Sequence, residues 1–118
     1  MNMIQIKRVY EDASSREDGY RILVDRLWPR GVSRIRAKLD EWDKEVAPST
    51  ELRKWFGHKP ERFDEFSELY RGELKKKTKE LDRIRNIAEK QIVTLLYGAK
   101  DPKINHAIVL QEVLNQTK

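Results

Sequence analysis

Residues 24–31, with the sequence VDRLWPRG, bring charged and aromatic side chains together over a short stretch of chain. Arg26 and Arg30 offer planar guanidinium groups with five N–H donors each, which suit a carboxylate or a phosphate. Trp28 could wall a pocket or stack on a ligand, and Asp25 is a candidate acid or base. The segment predicts an anion-binding loop, and the alternative is that Asp25 neutralises these arginines internally.

A second segment with polar side chains, residues 97–101, follows an apolar run that is typical of a buried strand. Tyr97 is a candidate ligand contact, and Asp101 is a candidate acid, base or arginine partner. In open parallel sheets, ligands bind beyond the carboxyl ends of the strands. Because residues 20–25 also form a nearly apolar run, we expect the loops after both strands to face one crevice.

Five further residues are candidates for the same crevice. Ser49 is a good N-cap, and free N–H groups at that helix start could bind an anion, although plain capping is the favoured interpretation. Arg53 lies one helical turn further on, and Arg8 could join the arginine clamp. His58 and His106 are the two histidines of the chain, and either could act as a general base near neutral pH.

Several classes of chemistry have no support in the sequence. The chain contains no cysteine, which excludes disulfides, thiolate metal sites and cysteine nucleophiles. No His-x-x-x-His pattern occurs, so we predict no metal site. Phosphate-loop, dinucleotide-binding and serine-hydrolase glycine motifs are also missing, so we predict no cofactor.

The composition fits one small domain. The chain has 118 residues and a formal net charge of +5, and 38% of its residues are charged. Such a basic surface is compatible with nucleic acid, but Lys and Arg alternate with Asp and Glu, as on ordinary solvated helices. Residues 1–5 do not resemble a signal peptide, and no apolar run reaches the ~20 residues that cross a bilayer. We expect a single cytoplasmic domain over residues 1–118, without membrane contact.

Hydrophobic spacing predicts the elements that carry these candidates. Strands are expected at residues 3–9, 20–25 and 91–97, and a loop is expected at residues 11–19. Helices are expected at residues 34–38, 41–46, 50–56 and 104–115. A longer helical segment is expected to begin at Pro60 and to continue after a break near Thr78. The expected helix caps are Ser33, Asp40, Ser49 and either Asp101 or Asn105. A long helical crossover between the second and third strands favours parallel pairing, whereas the first strand could pair with the second as a hairpin. The predicted fold class is α/β, with a small, mostly parallel sheet of about three strands or more and helices packed around it.

Long motifs in this chain resemble those of a known family. They cover residues 7–10, 18–31, 47–58, 94–97 with Asp101, and 105–107. The chain resembles, over nearly its whole length, the family of domain of unknown function 488 (DUF488), in its short YeaO-like branch. The resemblance implies a small bacterial or archaeal cytosolic α/β protein and brings no known reaction.

Three hypotheses for the function follow, in order of preference. The first is binding of an anionic small molecule, bearing a phosphate or a carboxylate, in an Arg/Trp-lined crevice at the carboxyl ends of the strands, with acid/base chemistry as an extension. The second is a structural or protein-interaction domain in which the Arg and Asp motifs only stabilise loops. The third is a nucleic-acid-binding module that uses the basic surface.

Overall fold

A parallel sheet forms the centre of the protein in the computed structural model, which describes residues 3–116. Residues 1, 2, 117 and 118, which belong to the predicted domain, lie outside the described part. The strands within it are β1 (Ile4–Arg8), β2 (Tyr20–Leu23), β3 (Glu41–Trp42) and β4 (Val93–Tyr97), in the spatial order β1-β4-β2-β3. All three pairings are parallel. The predicted α/β class with a mostly parallel sheet is therefore confirmed.

Helices pack around this sheet. In residues 3–116 they are α1 (Ser15–Asp18), α2 (Arg34–Ala37), α3 (Thr50–Phe56), α4 (Phe63–Leu74), α5 (Thr78–Lys90) and α6 (His106–Asn115), with a 3-10 turn at Pro60–Arg62. The expected break near Thr78 is confirmed, and a short helix, α1, replaces the last part of the loop expected at residues 11–19. None of the helices in the described part combines the length and the apolar character needed to cross a membrane.

The sheet buries different side chains on its two faces because neighbouring residues of a strand point in opposite directions. Ile22 and Leu95 contribute to the larger core, which also contains the apolar stripes of the later helices. Leu23 and Leu96 point to the other face and pack with Ala37 in a smaller cluster. Both central strands are thus covered on both faces, as their apolar runs predict.

Local capping chemistry sets several helix ends. The Ser33 hydroxyl accepts a hydrogen bond from the Arg36 N–H, and the Ser49 hydroxyl accepts one from the Leu52 N–H at 3.2 Å. Gly57, with φ of 55°, ends α3 in the left-handed conformation that glycine adopts without a Cβ penalty. Asn105 rather than Asp101 caps α6, so this helix starts two residues later than expected.

The helix expected at residues 41–46 with Asp40 as its cap is wrong. Glu41–Trp42 forms the edge strand β3, and the Asp40 carboxylate instead accepts a hydrogen bond from the Arg21 N–H at 2.9 Å. The Asp43 N–H donates to the Leu23 carbonyl at 2.8 Å. These hydrogen bonds to β2 satisfy the backbone of the segment across the sheet, so tertiary pairing overrides the local helical pattern.

The hairpin that the sequence allows between the first two strands does not form. β1 pairs in parallel with β4 from Ile4 opposite Val93 to Arg8 opposite Tyr97. β4 thereby lies between β1 and β2. β1 and β2 thus cover both edges of β4. This position suits a strand whose five residues are all buried.

A buried ion pair fixes the amino-terminal end of β2. Asp18 and Arg21 are 2% and 3% exposed, and their side chains are hydrogen-bonded to each other. Arg21 also donates to the Ala37 carbonyl, and Lys7 contacts Asp18 at 3.1 Å. Burial alone would raise the pKa of Asp18, but the Ser14 N–H together with Lys7 and Arg21 outweighs it and lowers that pKa. This network lies at the opposite end of the strand from residues 24–31.

Candidate functional site

A cavity of about 240 Å³ opens at the carboxyl ends of β2 and β4. The loop after β2 forms one side, Gly98 and Ala99 after β4 form another, and α3, α4 and the start of α6 complete it. The lining residues are Tyr10, Asp25, Arg26, Leu27, Trp28, Pro29, Arg30, Pro48, Arg53, Phe56, His58, Phe66, Gly98, Ala99, Asn105 and His106. The two loops that the sequence predicts to share a crevice therefore both contribute to this cavity.

Hydrogen bonds to the backbone hold the loop after β2 in place. The Trp42 indole N–H donates to the Asp25 carbonyl at 2.7 Å, and the Tyr10 hydroxyl donates to the Arg30 carbonyl at 2.7 Å. Arg26 donates from Nε to the Pro48 carbonyl at 2.8 Å. Because each bond joins the loop to a different segment, the loop is a fixed wall of the cavity.

Aromatic side chains form much of the apolar lining. Trp28 is held by a hydrogen bond from its indole N–H to the Val32 carbonyl at 2.8 Å and by the Arg34 guanidinium, 4.3 Å from its ring centre. Phe56 of α3 and Phe66 of α4 stack with their ring centres 4.3 Å apart. These contacts set a rigid apolar surface beside the charged groups.

Asp25 and His106 meet inside the cavity. His106 Nε2 lies 3.0 Å from the Val24 carbonyl oxygen and 3.2 Å from Asp25 Oδ1. Since both neighbours accept hydrogen bonds, we assign a proton to Nε2. The other carboxylate oxygen, Asp25 Oδ2, accepts a hydrogen bond from the Gly98 N–H at 2.9 Å. Of the predicted catalytic candidates, these two are in direct contact.

The arginines of the cavity do not pair with the carboxylates that the sequence offered as partners. Within residues 3–116, neither Asp25 nor Asp101 forms an ion pair with Arg26 or Arg30. Arg26 donates to the carbonyls of Pro48 and Ala47, and the side chain of Arg30 is exposed. The positive charge of both residues is therefore not neutralised by a carboxylate of the described chain.

Arg53 lines the same cavity, and one of its buried N–H groups lacks a partner in the described chain. Its Nε atom is buried and has no hydrogen-bond partner in the described part of the chain. No carboxylate of residues 3–116 forms an ion pair with its guanidinium. Buried polar groups are normally hydrogen-bonded, so an orphaned donor in a cavity wall requires an explanation.

Four of the sequence candidates lie outside this cavity. Ser49 donates its N–H to Glu73 at 2.9 Å, so the Glu73 carboxylate takes the anion position at the start of α3. Tyr97 belongs to the core, and burial raises the pKa of its phenol. Arg8 donates to the Ala99 carbonyl at 2.9 Å. The Asp101 carboxylate accepts hydrogen bonds from the backbone N–H groups of the turn before α6.

His58 lines the cavity from its solvent side. The residue is exposed and adopts a φ of 59°, directly after Gly57 at the end of α3. Its ring centre lies 6.1 Å from that of Phe56. His58 is therefore placed to contact a ligand at the cavity entrance, whereas His106 sits beside Asp25 in the interior.

A second charged cluster, which the sequence did not reveal, surrounds Arg83 of α5. Carboxylate oxygens of Glu41, Asp43 and Glu80 lie within 4.8 Å of one another, an arrangement that could hold a metal ion. The Arg83 guanidinium, however, lies 2.6 Å from Glu41 and Glu80 and 3.1 Å from Asp43, and so supplies the positive charge itself. The sequence analysis did not predict that Glu41 and Asp43 are neighbours, because it placed residues 41–46 in a helix. Residues two apart share a face only in an extended segment.

This Arg83 cluster makes the stability of the protein depend on pH. Burial, together with a hydrogen bond to Glu80 and its charge, raises the pKa of Asp43 to about 7. A raised folded-state pKa contributes stability that is complete below the unfolded value and is lost as the pH rises through about 7. The pKa values of Glu41 and Glu80 are lowered, so their contributions change only at more acidic pH.

We expect the Asp43 contribution to the free energy of unfolding to fall by roughly 2–3 kcal/mol between pH 5 and pH 8. In Asp43→Asn this part of the pH dependence should disappear, because the amide does not titrate in that range. Chemical denaturation of both proteins at the two pH values measures the difference, with the exposed Asp64→Asn as the control. Equal pH dependence in wild type and Asp43→Asn would show that Asp43 does not bind this proton.

A protein-family model matches nearly the whole chain. The family model described as "Inactive DUF488-N3 subclade" matches residues 3–118. The chain belongs to this DUF488 subclade. Membership covers the cavity loops, the arginine of α3 and the start of α6 alike, and the DUF488 resemblance of the sequence motifs is thereby confirmed.

Two bacterial relatives of this DUF488 chain are described as uncharacterized proteins. The protein is 53% identical to the uncharacterized protein YeaO of Escherichia coli (strain K12) over 111 residues, which cover 94% of this chain and 96% of YeaO. It is 41% identical to an uncharacterized protein of Mycobacterium bovis over 112 residues, which cover 95% of this chain and 93% of the relative. No solved structure matches the chain.

Proposed function

We propose that this protein binds a small anionic molecule, bearing a carboxylate or a phosphate, in the cavity at the carboxyl ends of β2 and β4. The observation that carries the proposal is the buried Nε of Arg53, an N–H donor without a partner in the described chain, on a residue that lines the cavity. A bound anion would satisfy this donor and neutralise the guanidinium at once. The proposal includes the cytoplasmic location expected from the sequence.

The charge around the cavity supports the same ligand class. Arg26 and Arg30 line it together with Arg53, and Asp25 is its acidic side chain. At about 240 Å³, the cavity is below the roughly 300–1,000 Å³ typical of sites for drug-sized ligands. The ligand that fits is therefore a small metabolite and not a dinucleotide.

Binding without turnover is the form of the proposal that we favour. Of the two candidates in contact, His106 cannot act as a base through Nε2, because the proton on this atom is directed to the Val24 carbonyl at 3.0 Å. A general base must reach the proton that it abstracts, and this nitrogen is already a donor. The description of the subclade as inactive agrees with a binding role.

Thermal unfolding in the presence of inorganic phosphate, benzoate and sugar phosphates tests the proposal. At a concentration of about 100 times Kd, a ligand of the native state adds about 2.7 kcal/mol, and the melting temperature should rise by several degrees. Sodium chloride at matched ionic strength is the control for general screening. If none of these anions raises the melting temperature more than chloride does, the proposed function is wrong.

A further inference from the structure

We infer that the anion bound in this cavity also carries a hydroxyl or N–H group, and that this group donates a hydrogen bond to Asp25 Oδ1. The inference rests on the proposed function, because it adds a second recognition element to the same site. It assigns Asp25 as the residue that determines which small anions are accepted. The ligand class becomes a hydroxy- or amino-substituted acid with an apolar body.

The orientation of the Asp25 carboxylate is fixed from two sides. Its backbone carbonyl accepts from the Trp42 indole, and Oδ2 accepts from the Gly98 N–H at 2.9 Å. A Cβ at position 98 would lie 2.9 Å from Oδ2 and 3.5 Å from Pro29, so the absence of a side chain there permits the close approach. With Oδ2 held in this way, the direction of Oδ1 is set as well.

Asp25 Oδ1 is the acceptor that remains. It is buried and accepts no hydrogen bond from any residue in the described part of the chain. His106 Nε2 lies 3.2 Å away, but its single proton points to the Val24 carbonyl at 3.0 Å. A buried carboxylate oxygen without a donor is costly, so a donor from the ligand would be recognised strongly.

Two buried side-chain atoms lack a hydrogen-bond partner in the described part of the chain, and they are complementary in kind. Asp25 Oδ1 is an acceptor, Arg53 Nε is a donor, and both residues line the one cavity. Phe56, Phe66 and Trp28 supply apolar surface in the same lining. A ligand satisfies all three features if it places an acid group at Arg53, a donor group at Asp25 and an apolar body against the aromatic rings.

Titration calorimetry with paired probes tests this inference. The pairs are meta- and para-hydroxybenzoate against meta- and para-fluorobenzoate, which are similar in size but lack the donor. We expect the better hydroxybenzoate to bind about 10-fold more tightly than its fluoro counterpart, as for a hydrogen bond to a charged group. In Asp25→Asn, the Gly98 N–H requires the amide oxygen, so the NH₂ group takes the place of Oδ1. A donor in place of the acceptor should shrink the preference to about 2-fold or less.

The outcomes separate the inference from the proposed function. If hydroxy- and fluorobenzoates bind wild type equally well and binding depends on Arg53, the inference is wrong and the proposed function stands. If none of the four probes binds, the inference is wrong, and the melting temperatures with phosphate and sugar phosphates decide the proposed function. If a probe binds equally well to wild type and to Arg53→Met, both are wrong. Should Asp25→Asn fail to fold, the comparison of the probe pairs on wild-type protein still decides the inference.

Discussion

Replacing Arg53 with methionine should raise the melting temperature of the ligand-free protein and weaken its binding of benzoate by about 10- to 100-fold. The buried Nε of Arg53 has no partner in the described chain, so its removal relieves a desolvation cost of about 1 kcal/mol or more. Methionine keeps an unbranched apolar stem that can fill the same space. The same donor is what an anion would use, so its loss removes the charge-assisted hydrogen bond. Thermal unfolding and calorimetric titration measure the two effects.

Arg16→Met is the matched control for this variant. Arg16 is an exposed arginine of α1, so the substitution removes the same charge without touching the cavity. We expect it to leave benzoate binding and the melting temperature nearly unchanged. A lower melting temperature in Arg53→Met, with benzoate binding retained, would mean that Arg53 is a structural residue and would contradict the proposal.

Replacing Asp18 with asparagine should reduce the free energy of unfolding by about 3–5 kcal/mol, the largest stability effect that we expect in this chain. The substitution leaves the Arg21 guanidinium, which is 3% exposed, without its charged partner. Natural domains are stable by only about 5–15 kcal/mol, so a large part of the stability would be lost. Chemical denaturation measures the change.

The double variant Asp18→Asn/Arg21→Met provides the internal check. It removes the uncompensated buried charge together with its partner, so it should be less destabilised than the sum of the two single variants. Benzoate binding measured below the melting temperature should stay at the wild-type level, because this pair lies at the amino-terminal end of β2. If each single variant lost less than about 1 kcal/mol of unfolding free energy, and the double variant lost the sum of the two, the pair would not be coupled.

The location of the site could be predicted from the sequence because the two central strands could be. Residues 20–25 and 91–97 are apolar on both faces, which indicated parallel strands in the middle of a covered sheet. The general rule for open parallel sheets then placed the loops after them on one crevice. Asp25 and His106 are in contact there, although the sequence offered them only as separate candidates.

The edge of the sheet was not predictable in this way. Trp42 and Val46 are spaced four residues apart, as on one face of a helix, and Asp40 has the chemistry of a cap. Hydrogen bonds from Asp40 and Asp43 to β2 decide the conformation, and they depend on residues about twenty positions away. The Arg83 cluster follows from this pairing and leaves no local signal of its own.

The partners of the arginines were likewise beyond the reach of local patterns. The sequence indicated that Arg53 lies one turn into α3, but not that its Nε is buried without a partner. Equally, it left open whether Arg26 pairs with a carboxylate, and the structure shows carbonyl acceptors instead. Both facts depend on how α3 and the loop before it pack against β2, which is a tertiary property.

The central claim is that Arg53 is the group in this cavity that contacts a small anion. Proton–nitrogen correlation NMR of the arginine Nε–H groups during a titration with benzoate tests it most directly, with the Arg53 signal assigned by its absence in Arg53→Met. We predict that the Arg53 Nε–H resonance shifts saturably, while that of Arg16 does not move. An Arg53 resonance that stays unchanged at benzoate concentrations that shift other signals of the protein would contradict the claim.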